Sequence, residues 1–299
     1  MNHTSVLLDH IRQLSTPLEP EPTETSARLT PLLRVKAVLF DVYGTLFISG
    51  SGDISTVSAL RNHAALTAAL AAAGFTGELE SAGVTGSQAF LQGIAQTHET
   101  ARAQGITYPE VDIRAIWRQV LGDLQQQHIL TGEITNERIR RVSIEYEFRV
   151  NPVWPMPDAR MIITQLHARR IVLGIVSNAQ FYTPLMFPAL LGISHVAAGF
   201  APELCAWSFE LREAKPSHAI FGGVLQQLAL THGILPAETL YVGNDLLNDI
   251  WPAAQHGLKT ALFAGDRRSL RWRPHDPRCL ALSPDVILTQ LSQVCDVIS

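Results

Sequence analysis

The chain has 299 residues, 46% of them hydrophobic and 17% charged, with a formal net charge of −4. That composition supports a sizeable buried core in one large domain or two smaller ones, and it excludes a disordered chain. The slight acidity excludes the basic surface that nucleic-acid binders need, and no run approaches the ~20 apolar residues of a membrane span.

Taken in chain order, Met1 to Ser5 lack a basic region followed by an apolar stretch, so no signal peptide is read. Cys205, Cys279 and Cys295 are scattered with no Cys-x-x-Cys pair, which argues against disulfides or zinc and suits a reducing compartment. The expectation is a soluble cytoplasmic protein. Ser5 to Leu14 suggests a short helix with Val6, Leu7, Ile11 and Leu14 partly on one face. Pro17, Pro20 and Pro22 then make an extended stretch, so residues 1–34 look like an arm, able to wrap the body or serve a partner. Ala37 to Phe40 reads as a buried strand ending on Asp41.

Between Ser55 and Arg149 no strand-like run occurs. Ile113, Ile116, Trp117, Val120, Leu121 and Leu124 recur at helical steps, as do Ile139, Val142 and Tyr146, and Leu60, Ala64, Thr67 and Ala71 make a weaker stripe. Trp117 and Tyr146 are read as helix core. Residues 55–149 are therefore expected to be an inserted all-helical subdomain. The strand pattern resumes at Ile171–Val176, Leu240–Val242 and Thr260–Phe263, with a helix pattern at Ile220, Phe221, Val224, Leu225 and Leu228 between them. This alternation predicts an α/β fold, a parallel sheet with helices on both faces.

Four short segments carry the chemistry: Asp41-Val42-Tyr43-Gly44-Thr45, Ile175-Val176-Ser177-Asn178, Ala214-Lys215-Pro216-Ser217, and Tyr241-Val242-Gly243-Asn244-Asp245-Leu246-Leu247-Asn248-Asp249, an acidic loop following a strand. Each follows a strand-like run or precedes a helix, and loops of that kind meet at one edge of a parallel sheet. Asp41 can attack phosphorus or carbon and form a covalent aspartyl intermediate. Ser177 and Asn178 can donate hydrogen bonds to substrate oxygens, and Lys215 can neutralise charge on the nucleophile and the transferring group. Two or three oxygens from Asp41 and the acidic loop can hold Mg²⁺, which takes few protein carboxylates plus waters and phosphate.

In this order the four segments resemble the motifs of the haloacid dehalogenase superfamily, over about residues 35–298. The resemblance implies a doubly wound Rossmann-like core (35–54 and 150–299) with a helical cap (55–149) of the class found in dehalogenases and phosphoglycolate-phosphatase-like enzymes. Asp41 then matches the nucleophile, Thr45 the residue that orients it, Ser177 and Asn178 the second motif, and Lys215 the third. The Tyr43 backbone carbonyl matches a Mg²⁺ ligand, and Ile48 to Asp53 would be the flexible connection into the cap.

Two departures from the family pattern point in opposite directions. Tyr43 stands where phosphatases carry the aspartate that protonates the leaving group, and Asp-x-Tyr-Gly-Thr is similar to the first motif of 2-haloacid dehalogenases. A tyrosine is a poor base for activating the later water, and Tyr43 is expected to pack under the cap. Asn244, Asp245 and Asp249, by contrast, resemble a metal-binding loop, with Asp249 fitting either alignment and Asn244 and Asp245 alternative partners. The expectation is Mg²⁺-dependent hydrolysis of a small phosphorylated molecule with a good leaving group. The alternatives are 2-haloacid hydrolysis, with Arg61 or Arg118 holding the substrate carboxylate, and a binding or regulatory protein with weakened turnover.

Overall fold

The computed structural model describes residues 3–51 and 59–298. In chain order the elements begin with α1 (His3–Leu14), β1 (Ala37–Phe40), β2 (Phe47–Ser49), α2 (Ala59–Ala72), β3 (Thr76–Gly77), α3 (Leu79–Ala103) and α4 (Ile113–Gln126). They continue with β4 (Leu130–Thr131), α5 (Asn136–Val150), β5 (Val153–Pro155), α6 (Ala159–Ala168), β6 (Val172–Ser177), α7 (Thr183–Met186) and β7 (Phe200–Trp207). The remainder is α8 (Ser208–Leu211), α9 (His218–Gln227), β8 (Thr239–Gly243), α10 (Trp251–Gln255), β9 (Lys259–Phe263), β10 (Val286–Leu288) and α11 (Val294–Val297).

Six strands form one parallel sheet in the order β10-β9-β8-β1-β6-β7. The chain leaves β1 for β6 and β7 on one side, then returns to β8, β9 and β10 on the other. Beyond the carboxyl end of β1 lies the crevice that such a reversal opens, where α/β proteins place their ligands. The period of two along β1 sends Val38 and Phe40 into the core shared with α1 and α6, and Ala37 and Leu39 into the core shared with α9. Both faces are covered, which is why β1 is apolar and both β1 and β8 are buried throughout.

The four strands expected from apolar runs appear as β1, β6, β8 and β9. Two further sheet strands, β7 and β10, carry weaker signals. β7 contains Pro202 and the exposed Glu203, which only an edge strand tolerates, and β10 has three residues. Residues 59–150 contribute helices α2 to α5 and add no strand to the six-stranded sheet. They are not wholly helical, because Thr76–Gly77 pairs antiparallel with Leu130–Thr131. α4 buries the expected Ile113, Ile116, Trp117, Val120, Leu121 and Leu124, and Trp117 stacks on Phe90 at 4.1 Å and meets Tyr146 edge-on. The stripe read in α2 is displaced: Ala64 and Ala71 are exposed, while Ala65, Leu66, Ala69, Leu70 and Ala73 are buried. An alanine-rich helix offers little polar contrast from which to read its inner face.

The chain crosses between sheet and helical segment on a short ribbon. β2 pairs antiparallel with β5 (Phe47 opposite Pro155, Ser49 opposite Val153), Gly50 N donates to Pro152 O at 2.7 Å, and Ser51 is bonded to Asn151. The expected flexible connection is therefore tied down over Ile48–Ser51, while Gly52 and Asp53 lie outside the described residues. Residues 3–34 lie along the body. Leu7 and Ile11 of α1 are buried against α5 and residues 187–191, and Arg12 donates to Ala189 O at 3.1 Å. Further on, Arg28 exchanges backbone hydrogen bonds with Ile287. Among the described residues no helix is long and apolar enough to cross a membrane.

Candidate active site

β1 delivers Asp41 to the crevice, and the turn after it is tight. Gly44 has φ +77°, and a Cβ there would lie 2.4 Å from Ser269 Cβ and 2.7 Å from Asn244 Nδ2, so only glycine lets this loop close on the acidic loop. β6 ends at Ser177, whose Oγ donates to Asp41 Oδ1 at 2.8 Å. Lys215, in the loop between α8 and α9, donates to Asp41 Oδ1 at 2.7 Å and to Asp249 Oδ1 at 2.5 Å. Asp41, Ser177, Lys215 and Asp249 thus share one buried cluster at the carboxyl edge of the sheet.

The cluster is satisfied almost atom by atom. Lys215 Nζ has three protons and a third acceptor, the Tyr241 hydroxyl, at 3.2 Å. That hydroxyl also lies 2.8 Å from Val176 O and 3.1 Å from Asp249 Oδ1. Asp249 Oδ2 accepts from Asp245 N at 2.9 Å, and a Cβ on Gly243 would come within 2.4 Å of the Asp249 Cγ, so this approach also requires glycine. Among the described residues no donor meets Asp41 Oδ2. Burial pulls the Lys215 ammonium pKa down, but Asp249 and then Asp41 more than offset this, and the net shift is upward. Burial pushes the Asp249 carboxyl up, against the pull of Lys215. One ammonium against two carboxylates leaves a negative charge over when both are ionised.

The other expected residues take more local posts. Asn178 brackets the Lys215 backbone, its Oδ1 accepting from Lys215 N at 2.7 Å and its Nδ2 donating to Lys215 O at 3.4 Å. The Thr45 hydroxyl donates to Asn244 Oδ1 at 3.3 Å, and Asn244 Nδ2 donates to Ser269 O at 2.6 Å. Asp245 caps the turn that follows, accepting from Leu247 N and Asn248 N, and forms a forked pair with Arg273, whose Nη2 lies 2.5 Å from Oδ2. Of the two residues left as alternatives in this loop, Asn244 therefore turns toward Thr45 and Asp245 toward Arg273. Among the described residues no three carboxylate, imidazole or thiolate side chains converge to hold a metal ion.

Tyr43 is half-buried, and its hydroxyl pairs with Thr183 Oγ1 at 3.0 Å. Burial, with Glu147 and Asp41 nearby, raises its pKa far above the ordinary tyrosine value, so the phenol stays neutral. Arg118 is exposed and bonded to the Asn136 side chain within the helical segment, away from the cluster. The side chain of Arg61 lies outside the described residues. Two participants were given no role from sequence. Tyr241 was legible in principle, because a tyrosine in a wholly buried strand must bring its hydroxyl to a polar partner. Glu147 was hidden among the charges of a cap helix.

The chain matches the haloacid dehalogenase-like hydrolase family over residues 35–257. No curated protein is significantly similar to it. Among solved structures it is similar to a 2-haloacid dehalogenase from Pseudomonas syringae pv. Tomato, with 19% identity over 88% of this chain and 97% of that one and a TM-score of 0.55. An HAD phosphatase from Thermococcus onnurineus aligns with 17% identity over 88% and 97% of the two chains, at a TM-score of 0.49. A predicted phosphoglycolate phosphatase from Haemophilus somnus does so at 16%, 88% and 98%, with a TM-score of 0.45. The match spans most of the chain, and the six-stranded parallel sheet with its flanking helices agrees with it: this protein belongs to the haloacid dehalogenase-like hydrolases.

Proposed function

We propose that this protein hydrolyses a small phosphorylated molecule with a good leaving group, through a phospho-aspartyl intermediate on Asp41. The observation that carries this reading is the asymmetry of the Asp41 carboxylate: Oδ1 is held by Ser177 and Lys215, while Oδ2 meets no donor among the described residues. An oxygen so placed is fixed and free to attack. Asp41 Oδ2 forms a bond to phosphorus, and the bond to the leaving oxygen breaks, its electron pair departing with the leaving group. Water then attacks phosphorus, releasing phosphate and restoring Asp41. Tyr43 stays neutral and gives the leaving group no readily available proton, so the leaving group must be a stable anion, as in an acyl or aryl phosphate.

The charge left over in the Lys215 cluster, together with an incoming phosphoryl group, calls for a cation. The donors suited to Mg²⁺ are Asp41, the Tyr43 backbone carbonyl and Asn244 Oδ1, one carboxylate and two neutral oxygens, completed by water and substrate. Asp245 is engaged with Arg273 and its own turn, and Asp249 with Lys215, so both support the site from behind. When bound, the ion would neutralise charge developing on the phosphoryl oxygens.

A second reading, hydrolysis of a 2-haloacid, is favoured by the neutral Tyr43. Asp41 would attack carbon, and halide would leave with the bonding electron pair and need no proton. Against it stands the position of Arg118, exposed and clear of the cluster. A panel of acyl, aryl and alkyl phosphates and 2-haloacids, run with and without chelator, separates the two. The phosphatase reading expects phosphate release from the activated esters and its loss on chelation. Halide release unaffected by chelator would overturn it.

A further inference from the structure

Two buried glutamates stand two residues apart on α5, roughly 200° around the helix from one another, and their surroundings differ completely. Glu145 has two cations: Arg149 bonds it directly and Arg141 lies 3.7 Å away, while the His10 ring of α1 lies 3.6 Å away. Glu147, 7% exposed, has no cation within 4.0 Å among the described residues. Its neighbours are Tyr146 on its own helix and Tyr43 and Tyr182 from the loops after β1 and β6. A buried carboxylate without a cation costs several kcal/mol, and an apolar side chain would stabilise the fold better. Packing therefore gives no reason for this residue, and its hydrogen bonds do.

Glu147 accepts from Asn151 Nδ2 at 3.2 Å and from the Tyr182 hydroxyl. Each donor leads to a different structure. Asn151 Oδ1 accepts from Ser49 Oγ at 2.9 Å, Ser51 Oγ at 2.9 Å and Ser51 N at 3.2 Å, so it clasps the ribbon on which the chain crosses into the helical segment. Tyr182 lies within the loop that runs from Ser177 and Asn178 to Thr183, and Thr183 holds the Tyr43 hydroxyl beside Asp41. We infer that Glu147 is a positioning residue, coupling the crossing ribbon to the Tyr43–Thr183–Tyr182 wall of the Asp41 site. A planar head group with two polar lobes at this point of α5 reaches both at once. Burial raises the Glu147 carboxyl to about 7, in keeping with a group held for its geometry at the expense of its charge.

The effect on turnover rests on the reading of Asp41 as nucleophile, while the coupling itself does not. Hydrogen exchange of the full-length protein, followed by mass spectrometry, reads the coupling without substrate. In Glu147→Ala, exchange should quicken in the peptides covering both 47–51 and 178–183. In Glu147→Gln, whose amide oxygen can accept from Asn151 and whose NH2 can donate to the Tyr182 hydroxyl, neither should change. With p-nitrophenyl phosphate as probe, Glu147→Ala should lower kcat by about 10- to 100-fold with KM little altered, the scale expected of a misplaced catalytic geometry, and Glu147→Gln should recover most of the loss. Tyr182→Phe, which removes one donor alone, should loosen 178–183 and leave 47–51 as in the wild type, and it serves if the alanine variant does not fold. Exchange at both segments unchanged in Glu147→Ala, or in Tyr182→Phe at 178–183, would overturn the inference. Loosened segments in a protein whose wild type does not turn over the ester would instead leave the coupling standing and count against the phosphatase reading.

Discussion

The two acidic regions around Tyr43 balance their charge in different ways. At the sheet edge, Asp41 and Asp249 are buried together but share the Lys215 ammonium, and every proton of that ammonium has an acceptor. At the foot of α5, Glu147 is as deeply buried but has only neutral donors, Asn151 and Tyr182. In the first region a cation offsets the cost of burial. In the second a proton must do so. The difference teaches which carboxylate can serve as a nucleophile and which one orients its surroundings.

Breaking the first region should have the largest consequence. Asp41→Asn keeps the shape and the acceptor for Ser177 and Lys215 but removes the nucleophile, so kcat should fall roughly 10⁴-fold or more while the melting temperature holds. Activity near the wild-type level, with deamidation excluded, would place the nucleophile elsewhere. Lys215→Met should cost about 3–5 kcal/mol in a denaturant titration, because it strands two buried carboxylates. A loss below about 1 kcal/mol would mean that Lys215 is not what holds the cluster together.

The second region should show itself through pH. Burial lifts Glu147 from its ordinary 4.5 to about 7. A carboxyl raised in the fold contributes stability that is present in full below about pH 4.5 and lost as pH rises through about 7. Relative to Glu147→Gln, which cannot titrate, the wild type should therefore lose roughly 3 kcal/mol between those limits. A constant difference between the two across that range would contradict the account. The smallest effect expected is that of Tyr43→Phe. Deleting the bond to Thr183 should cost about 0.5–1.5 kcal/mol and change kcat only a few-fold, since the neutral phenol takes no part in proton transfer.

The same contrast separates what sequence reasoning reaches from what it misses. Asp41, Ser177 and Asp249 were legible because each sits just beyond an apolar run, and parallel strands bring such ends together. Lys215 was found through a motif, and its ammonium donates to Asp41 at that edge. β7 was missed because Pro202 and Glu203 interrupt its apolar pattern, and β10 because three residues carry no period. For Asp245 a local signal existed: an acidic residue ahead of a helical turn caps it, and this one does. The docking of α1 and the partners of Glu147 depend on side chains far apart along the chain, and no spacing rule joins Glu147 to Tyr182.

The central claim is a covalent phosphoryl group on Asp41, and it can be observed directly. The enzyme would be mixed with acetyl phosphate and Mg²⁺, quenched in acid during steady turnover, digested, and the peptide carrying Asp41 weighed. The account predicts a phosphorylated fraction of that peptide at position 41, absent when chelator is added before substrate and absent from Asp41→Asn. Turnover with the Asp41 peptide unmodified, or the adduct on another residue, would contradict it.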